Sequence, residues 1–321
     1  MRTFESLLGL LIDISVPAFA IASMLSMGLR TPLRTFAAQM RDRRTVFSVL
    51  GANFVVIPAV GTLLVWLLNG LLPPHVGAGF IIALCAAGAP FVLQLGAMAR
   101  IPYGETAGPM TVLLLGSVLF MPLVVPFLLQ DVHVDGWAVA RLLLGTMLAP
   151  MIAGIVLSAV FPDHADDLAR TAGTVAAISA VLMFLSGFGS NSAFVLELLI
   201  SPAMLVAVGL VTLAFLSGRI SGDLAGPTLT VTDGPAILSS QRNIAAALLV
   251  ARSDGGSDAL VVAVLLLSAV GFVMLVPYAV TVGVLRRRRA GEKTSLGVLL
   301  GVVGERPAES RRPDARDSVA D

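Results

Sequence analysis

A run of five polar residues, Ser239 to Asn243, interrupts an apolar stretch in the last third of the chain. Polar and charged side chains are costly inside a bilayer and are tolerated where they face other protein or a cavity. A guanidinium stays protonated and presents a planar fork of donors that suits a carboxylate or a sulfonate. The run therefore predicts a site for an organic anion, lined by Arg242, Asn243, Gln241 and Ser240.

Glycine and proline mark predicted breaks at two places in the apolar stretches. Gly234 and Pro235 precede the polar run, and Gly88 and Pro90 interrupt an earlier stretch, with Gln94 one turn beyond. Proline removes a backbone donor and clashes with the preceding turn, so a kink or a break is expected at each place. Two interrupted helices in corresponding halves of a chain indicate the binding site of a secondary transporter. For Pro90 alone, an ordinary proline kink is the alternative.

Two carboxylates are candidates for a proton relay, since a proton-coupled carrier needs a titratable group at membrane depth. Asp233 precedes the second break, and Glu197 lies a few residues inside a predicted boundary, where a solvated role is the alternative. The alternative for Arg242 is a structural ion pair with Asp233 or Asp223, in which case the guanidinium never meets a substrate.

The composition shows which kind of protein must position these residues. Of the 321 residues, 57% are hydrophobic and 13% are charged, with a mean hydropathy of +0.93. Soluble domains carry about 45–50% apolar and about 25% charged residues, so the polar surface is too small to coat a water-soluble body. This excludes a soluble enzyme, a nucleic-acid-binding protein and a secreted disulfide scaffold. From this composition we predict a polytopic membrane protein. The sequence has no P-loop, Ser-His-Asp order or HExxH motif, so we do not expect an enzyme.

Nine apolar segments predict nine transmembrane helices, because runs of about 20 residues are too long for the alternating strands of a membrane barrel. The third and the eighth are predicted to be discontinuous. All nine lie within 1–285, the predicted transporter domain, and 286–321 is predicted to be a basic, disordered cytoplasmic tail. The segments are Phe4–Leu29, Thr45–Leu72, Val76–Ala99, Gly104–Leu129, Trp137–Phe161, Thr171–Gly189, Phe194–Leu216, Pro227–Ala251 and Ala259–Leu285.

Arginine placement predicts the orientation in the membrane, because basic loops stay on the cytoplasmic side. Arginines cluster after the first segment and after the ninth, at Arg30, Arg34, Arg41, Arg43, Arg44 and Arg286 to Arg289. Loops on the opposite side are acidic, with Arg252 as the exception, and they hold Asp131, Asp135, Asp254 and Asp258. We therefore expect a protein of the cell inner (plasma) membrane, with its N-terminus outside and its C-terminus in the cytoplasm.

Four short motifs occur in an order that is specific as a set. They are Met27-Gly28-Leu29 with a loop reaching Phe36, Asn53-Phe54 with Pro58, the segment Ala86–Arg100, and Gln241-Arg242-Asn243 with Ala245 to Leu248. On these motifs the chain, up to about residue 285, resembles the bile acid:sodium symporter family. The resemblance implies a panel domain and a core domain. It also implies two crossing helices in an inverted repeat of five plus five helices, whose first helix is absent here.

The resemblance also implies where sodium would bind, through oxygen ligands in both crossing segments and on the helix after the first. Most of those positions hold other side chains here, namely Val92, Leu93, Met110, Leu238 and Arg242. Thr106 and Asn53 are the residual candidates for a sodium site, and a one-residue slip brings Gln94 to a ligand position. Sodium coupling is therefore left open, and no other cofactor is expected. The fixed charge of Arg242 would replace the charge that bound sodium supplies in relatives.

The sequence thus predicts a secondary active transporter of a small or amphipathic organic anion that works by alternating access. Asn53 and Gln94 join the polar run as candidate substrate-binding residues. The alternative is a membrane sensor or assembly partner that keeps the fold without transporting, a possibility that the lost sodium ligands sustain. The expected partners are the organic anion and the lipid bilayer, with no nucleic acid. Substrate identity, direction of transport and oligomeric state stay open.

Overall fold

The computed structural model describes residues 2–30, 43–129, 134–226, 233–253 and 257–290. All regular elements within these ranges are helical, which confirms the predicted all-α class. Several residues used in the predictions lie outside the described ranges: Arg34, Phe36, Arg41, Asp131, Asp254 and the tail from Gly291.

The described residues form fourteen α-helices, and a π-helical turn joins two pairs of them. In chain order the helices are α1 Arg2–Arg30, α2 Arg43–Gly51, α3 Ile57–Leu67, α4 Val76–Cys85, α5 Val92–Met98, α6 Tyr103–Leu128, α7 Gly136–Leu143, α8 Ala149–Val160, α9 Pro162–Ser190, α10 Ser192–Ile200, α11 Pro202–Ala225, α12 Asp233–Ser240, α13 Ile244–Arg252 and α14 Asp258–Arg289. The π turns are Ala52–Val56, between α2 and α3, and Leu144–Leu148, between α7 and α8.

Seven helical stretches among the described residues are long and apolar enough to cross a membrane. They are Leu7–Arg30, Arg44–Leu67, Tyr103–Leu128, Gly136–Val160, Pro162–Ser190, Pro202–Ala225 and Asp258–Arg289. The predicted third and eighth segments are each divided, into α4 and α5 and into α12 and α13. The polytopic membrane class is confirmed, and the count of nine crossings stays a prediction.

Two predicted boundaries are wrong. The sixth segment begins at Pro162 rather than at Thr171, because proline is tolerated as the first residue of a helix. The seventh segment, predicted from Phe194, is divided, and its long helix begins at Pro202. Ser201 caps that helix by accepting a hydrogen bond from a backbone N–H of its first turn (3.2 Å). Both errors arise because a proline that starts a helix looks like a loop residue when read locally.

Helices α1, α8 and α9 pack on one another and form a group that we term the panel. Small residues let their backbones approach closely. A Cβ on Gly28 of α1 would lie 2.2 Å from the carbonyl oxygen of Met151 in α8, and Gly154 of α8 approaches α1 in the same way. The hydroxyl of Ser26 donates to the carbonyl of Ala169 in α9 (2.8 Å). Small residues hold membrane helices together through such close contacts.

The broken helices lie in a second group, the core, which comprises α2 to α6 and α11 to α14. Here α4 packs on α14, and α12 packs on α11. A Cβ on Gly79 would lie 2.6 Å from the Cβ of Ala263, and one on Gly218 would lie 2.3 Å from the carbonyl oxygen of Pro235. All residues of α13 before Arg252 are buried. Panel and core meet where α1 contacts α13 and where α9 contacts α14.

Candidate functional site

Asn243 connects the two broken helices at their breaks. Its backbone N–H donates to the carbonyl of Ala86 (2.9 Å), and its Nδ2 donates to the carbonyl of Gly88 (3.3 Å). Its Oδ1 accepts a hydrogen bond from the N–H of Ala246 (3.2 Å) and so caps α13. Buried backbone groups that lack helical partners need others, and Asn243 supplies partners to both breaks. The residue therefore fixes one break against the other.

A second polar side chain, Ser117 of α6, stabilises the non-helical backbone of the first break. The N–H of Ala87 donates to the Ser117 Oγ (2.8 Å), and the Ser117 hydroxyl donates to the Ala87 carbonyl (2.9 Å). Gly88 has a φ of +79°, and a Cβ there would lie 2.4 Å from the backbone nitrogen of Leu114. Only glycine fits a position with both constraints. The break predicted at Gly88 is therefore built by its backbone and by close packing on α6.

Protein donors occupy the carbonyl groups that the first break exposes. Asn243 binds the carbonyls of Ala86 and Gly88, and Ser117 binds that of Ala87. The carbonyls of Ala89 and Pro90 accept hydrogen bonds from the N–H groups of α5 (3.1 and 3.2 Å). Backbone carbonyls at helix breaks bind sodium in other transporters, but here the carbonyls of residues 86–90 each accept a hydrogen bond from the protein.

The second break lies later than predicted. Helix α12 begins at Asp233, so Gly234 and Pro235 lie in its first turn, where the missing N–H of proline costs no hydrogen bond. The non-helical residues are 241–243, between α12 and α13. With 8 and 9 residues, the two helices extend about 12 Å and about 14 Å. Arg242 therefore lies near the middle of the broken helix.

Arg242 is buried in the core and bonds to Asn53 of the first π turn. The Nη1 of Arg242 donates to the Oδ1 of Asn53 (3.3 Å). The Nδ2 of Asn53 donates in turn to the Oγ of Ser239 (2.9 Å) and to the carbonyl of Val49 (3.0 Å). Arg242 is 4% exposed, and Asn53 and Ser239 are fully buried. We refer to Arg242, Asn53 and Ser239 as the arginine cluster.

The guanidinium of Arg242 has no acidic partner among the described residues. Its Nε and Nη2 atoms make no hydrogen bond there, and neither does the Oε1 of the adjacent Gln241. Because Asn53 takes Nη1, the free donors lie together on one edge of the guanidinium. Such an edge binds a carboxylate through two parallel hydrogen bonds. The cluster therefore has hydrogen-bond donors for one anionic group that no contact among the described residues occupies.

The π turn gives Asn53 a position that sequence patterns do not indicate. Ala52 and Asn53 are the buried residues of this turn, and Phe54 beside them packs against Phe120 of α6, with ring centroids 4.9 Å apart. π-helical turns are rare and frequently occur at functional sites. Apart from Ser48 and Asn53, residues 46–61 are apolar, so their periodicity carries no sign of the extra residue of the π turn.

Ser240 and Thr106, two other predicted site residues, use their hydroxyl groups within their own helices. The Ser240 hydroxyl donates to the carbonyl of Ala236 (2.5 Å), and the Thr106 hydroxyl donates to that of Tyr103 (3.1 Å). Thr106 also packs on Gly96 of α5, where an added Cβ would lie 2.8 Å from the threonine methyl. Neither hydroxyl is directed toward the arginine cluster.

Gln94 and Glu197 are not brought to the arginine cluster. Both side chains are exposed, on the short helices α5 and α10. With its nitrogen turned toward its own helix, the Gln94 amide lies 3.1 Å from the carbonyl oxygen of Pro90 and 3.2 Å from that of Phe91. Gln94 thus supports the start of α5. Burial does not favour the relay role considered for Glu197.

Asp233 forms an ion-pair cluster at the end of α12 that is remote from Arg242. Its Oδ2 lies 2.6 Å from the Nη2 of Arg286, and its Oδ1 accepts hydrogen bonds from Arg219 (3.3 Å) and from the hydroxyl of Tyr278 (2.5 Å). Arg286 also donates to the carbonyl of Ala99, just after α5 (2.8 Å). The ends of both broken helices are joined in this way, through partners that the sequence did not reveal.

The ion pair considered as the structural role of Arg242 is therefore wrong. Asp233 is bound by Arg286 and Arg219, and the side chain of Asp223 is exposed. Arg242 bonds to the neutral Asn53 instead. The error arises because one helix of about 12 Å separates Asp233 from the guanidinium, a distance that sequence proximity hides.

Comparison with known proteins adds one finding. The model of the family described as Sodium Bile acid symporter family matches residues 18–198, more than half of the chain. The matched region includes Asn53 and the first break, and it ends before the second break. No curated protein matches the chain significantly.

Proposed function

Because the chain belongs to the sodium bile acid symporter family, whose members are membrane transporters, we propose that it is a secondary active transporter of a small or amphipathic organic anion. The anionic group of the substrate binds the free edge of Arg242. Asn243, Gln241 and Asn53 supply neutral polar groups around it. Sodium is not an obligatory coupling ion.

The observation that carries this proposal is the unpaired edge of the Arg242 guanidinium. Burying a charge without a partner costs several kcal/mol, so buried arginines normally have a carboxylate or several acceptors beside them. Arg242 has a single bond, to Asn53, while its Nε and Nη2 are left without partners among the described residues. A substrate carboxylate or sulfonate would remove this deficit. Binding energy would thus be concentrated at the middle of the broken helix.

Independence from sodium is supported by what surrounds the breaks. The carbonyls of the first break bind Asn243, Ser117 and the start of α5. Thr106, a residual sodium candidate, donates its hydroxyl to its own helix. Asn53, the other candidate, faces the guanidinium of Arg242, whose charge repels a cation. Arg242 would supply permanently the positive charge that a bound sodium ion supplies in relatives.

Alternating access is the mechanism that fits a buried site. The arginine cluster is closed to solvent in this conformation, so a substrate reaches it only when panel and core separate on one side. The contacts of α1 with α13 and of α9 with α14 are those that must change. A substrate shifts such an equilibrium only by as much as it binds one conformation better than the other. Arg242 meets that requirement because its free edge is buried in this conformation and a substrate reaches it only in an open one.

Counterflow in proteoliposomes tests the proposal. Vesicles are loaded with unlabelled benzoate or taurocholate, the labelled compound is added outside, and choline replaces sodium throughout. The wild type is expected to accumulate label, and Arg242→Gln is expected to abolish accumulation. Arg242→Lys keeps the charge but loses the fork, so about 10–100-fold weaker binding is expected. Arg141→Gln is the matched control, because Arg141 is exposed and stacks over Trp137 at 5.8 Å.

Each other outcome has a distinct meaning. Accumulation by Arg242→Gln at the wild-type rate would refute the role of Arg242. Accumulation by the wild type only when sodium is present would keep the transporter and overturn sodium independence. Binding of label without exchange would favour the alternative, a membrane sensor that does not transport. That alternative was considered because apolar residues stand at most of the sodium-ligand positions.

A further inference from the structure

A cavity of about 210 Å³ lies between panel and core at the predicted outer end of the molecule. Its walls come from α1, from the junction of α9 with α10, and from the facing ends of α13 and α14. The lining includes Gly9, Ile12, Ser190, Asn191, Arg252 and Asp258. The cavity is separate from the arginine cluster, since the length of α13, about 14 Å, lies between Arg252 and the second break.

The cavity carries two opposite charges on facing helix ends. Arg252 is in the last turn of α13, and Asp258 is in the first turn of α14. Each charge complements the dipole of its own helix, and both also line the cavity. Ser190 and Asn191 add a hydroxyl and an amide, with the Asn191 Nδ2 donating to the Ser190 Oγ (3.1 Å). Small polar ligands are held by such a combination of charged and neutral groups.

Arg252 also joins the core to the panel. Its Nη2 forms an ion pair with the Oδ1 of Asp13 in α1. The side chains are 27% and 54% exposed, so water reaches both partners. The side chain of Asp258, in contrast, is exposed and forms no ion pair or hydrogen bond among the described residues. A ligand that binds Arg252 must therefore compete with Asp13, while Asp258 is available.

We propose that this cavity is a binding site for a small zwitterion. The carboxylate or sulfonate of the ligand replaces Asp13 on Arg252, and its ammonium group pairs with Asp258. The site goes beyond the proposed function and does not depend on it, because it shares no residue with the arginine cluster. Binding breaks the ion pair between panel and core, so occupancy of this site loosens their contact at the predicted outer end.

Charge and size select a zwitterion over simpler ions. A plain anion would bring a further negative charge beside Asp13 and Asp258, and a plain cation at Asp258 would lie beside the guanidinium of Arg252. A zwitterion satisfies both side chains at once. Pockets for drug-sized ligands occupy about 300–1,000 Å³, so a cavity of about 210 Å³ suits a smaller molecule.

Three probes of equal chain length separate these cases on the unaltered protein. β-Alanine carries both charges, 3-hydroxypropanoate carries the negative one, and 3-aminopropan-1-ol carries the positive one. The melting temperature of the purified protein is followed against the concentration of each probe at constant ionic strength, because a ligand that binds the folded state raises it saturably. Because Asp258 is exposed, we expect β-alanine to bind about two- to fivefold more tightly than 3-hydroxypropanoate. Because Arg252 is less exposed, we expect a larger difference from 3-aminopropan-1-ol.

Variants then assign the contacts. Arg252→Gln is expected to abolish the β-alanine shift, and Asp258→Asn to reduce it to the level of 3-hydroxypropanoate. Asp13→Asn removes the internal competitor, so both acids are expected to bind more tightly. Because a damaged fold would weaken binding, this gain distinguishes competition from misfolding. Arg242→Gln is expected to leave the β-alanine shift unchanged.

The same measurements can overturn the proposal. An equal response to 3-aminopropan-1-ol that survives Arg252→Gln would mean a simple cation site, and no saturable response to β-alanine would mean no site. A β-alanine shift that disappears in Arg242→Gln and persists in Arg252→Gln would place the ligand at the arginine cluster. That last result would refute the outer site while supporting the proposed function.

Discussion

The Nη1 of Arg242 lies 3.3 Å from the Oδ1 of Asn53, across 189 positions of sequence. A buried guanidinium is thus held by a neutral amide, although a carboxylate at the same place would compensate its charge. The difference matters for a binding site. A carboxylate would occupy the guanidinium permanently, whereas the amide orients it through one nitrogen and leaves the other edge free.

Asn53→Asp tests this relationship. The new carboxylate is expected to pair with Arg242 and to exclude the substrate, so counterflow of benzoate should fall at least about 100-fold. The melting temperature should stay close to that of the wild type, because the ion pair and a hydrogen bond from the Ser239 hydroxyl offset the lost bond to the Val49 carbonyl. Fluorescence melting in detergent and counterflow report the two quantities separately.

Asn53→Leu provides the comparison, since it removes the amide without adding charge. It is expected to lower stability by about 1–3 kcal/mol, because the Arg242 guanidinium loses its hydrogen bond. If Asn53→Asp exchanges benzoate as fast as the wild type, the free edge of Arg242 is not where the anion binds.

Some of this site follows from the sequence by simple physics. Charged and amide residues cannot remain in hydrocarbon, so Ser239 to Asn243 had to face other protein, and their burial in the core bears this out. Gly88 and Pro90 had to interrupt a helix, and they lie in the gap between α4 and α5. The long helices were predicted from the length of the apolar segments, because the thickness of the bilayer sets the length of a helix that spans it.

Other parts depend on contacts that no local pattern contains. Ser117 shares α6 with two threonines, Thr106 and Thr111, and only its position opposite Ala87 makes it a partner of the first break. Arg286 lies 53 positions from Asp233, and a run of arginines after a helix predicts an anchor rather than an ion pair. The second break was predicted at Gly234 and Pro235, but it lies at 241–243. Proline marks both breaks and beginnings of helices, so its position alone does not tell the two apart.

Ser117→Ala is predicted to destabilise the protein by about 2–4 kcal/mol, since the N–H and the carbonyl of Ala87 would both lose a buried partner. Ser268→Ala is the matched control. Ser268 is also buried in a membrane helix, but its Oγ has no partner among the described residues, so its removal should be neutral or slightly stabilising. Equal melting temperatures for the two variants would show that Ser117 does not support the break.

Asp233→Asn is predicted to act on stability rather than on proton coupling. The carboxylate binds Arg286 and Tyr278 at short distances and is 19% exposed, so neutralising it should cost about 1–3 kcal/mol. Asp167→Asn, which alters an exposed pair with Arg170, should leave the melting temperature unchanged. The test is the pH dependence of benzoate counterflow. A profile flattened by Asp233→Asn would instead make Asp233 the proton relay.

Sodium should not stabilise the folded protein. At constant ionic strength, the melting temperature in sodium is expected to equal that in choline, because a ligand shifts stability only through sites that bind it. The carbonyls of the first break already accept protein hydrogen bonds, and the Arg242 charge lies beside Asn53, a residual sodium candidate. A saturable rise specific to sodium would show that those hydrogen bonds yield to the ion. The Arg242 charge would then coexist with bound sodium instead of replacing it, and the anion would have to be sought with sodium present.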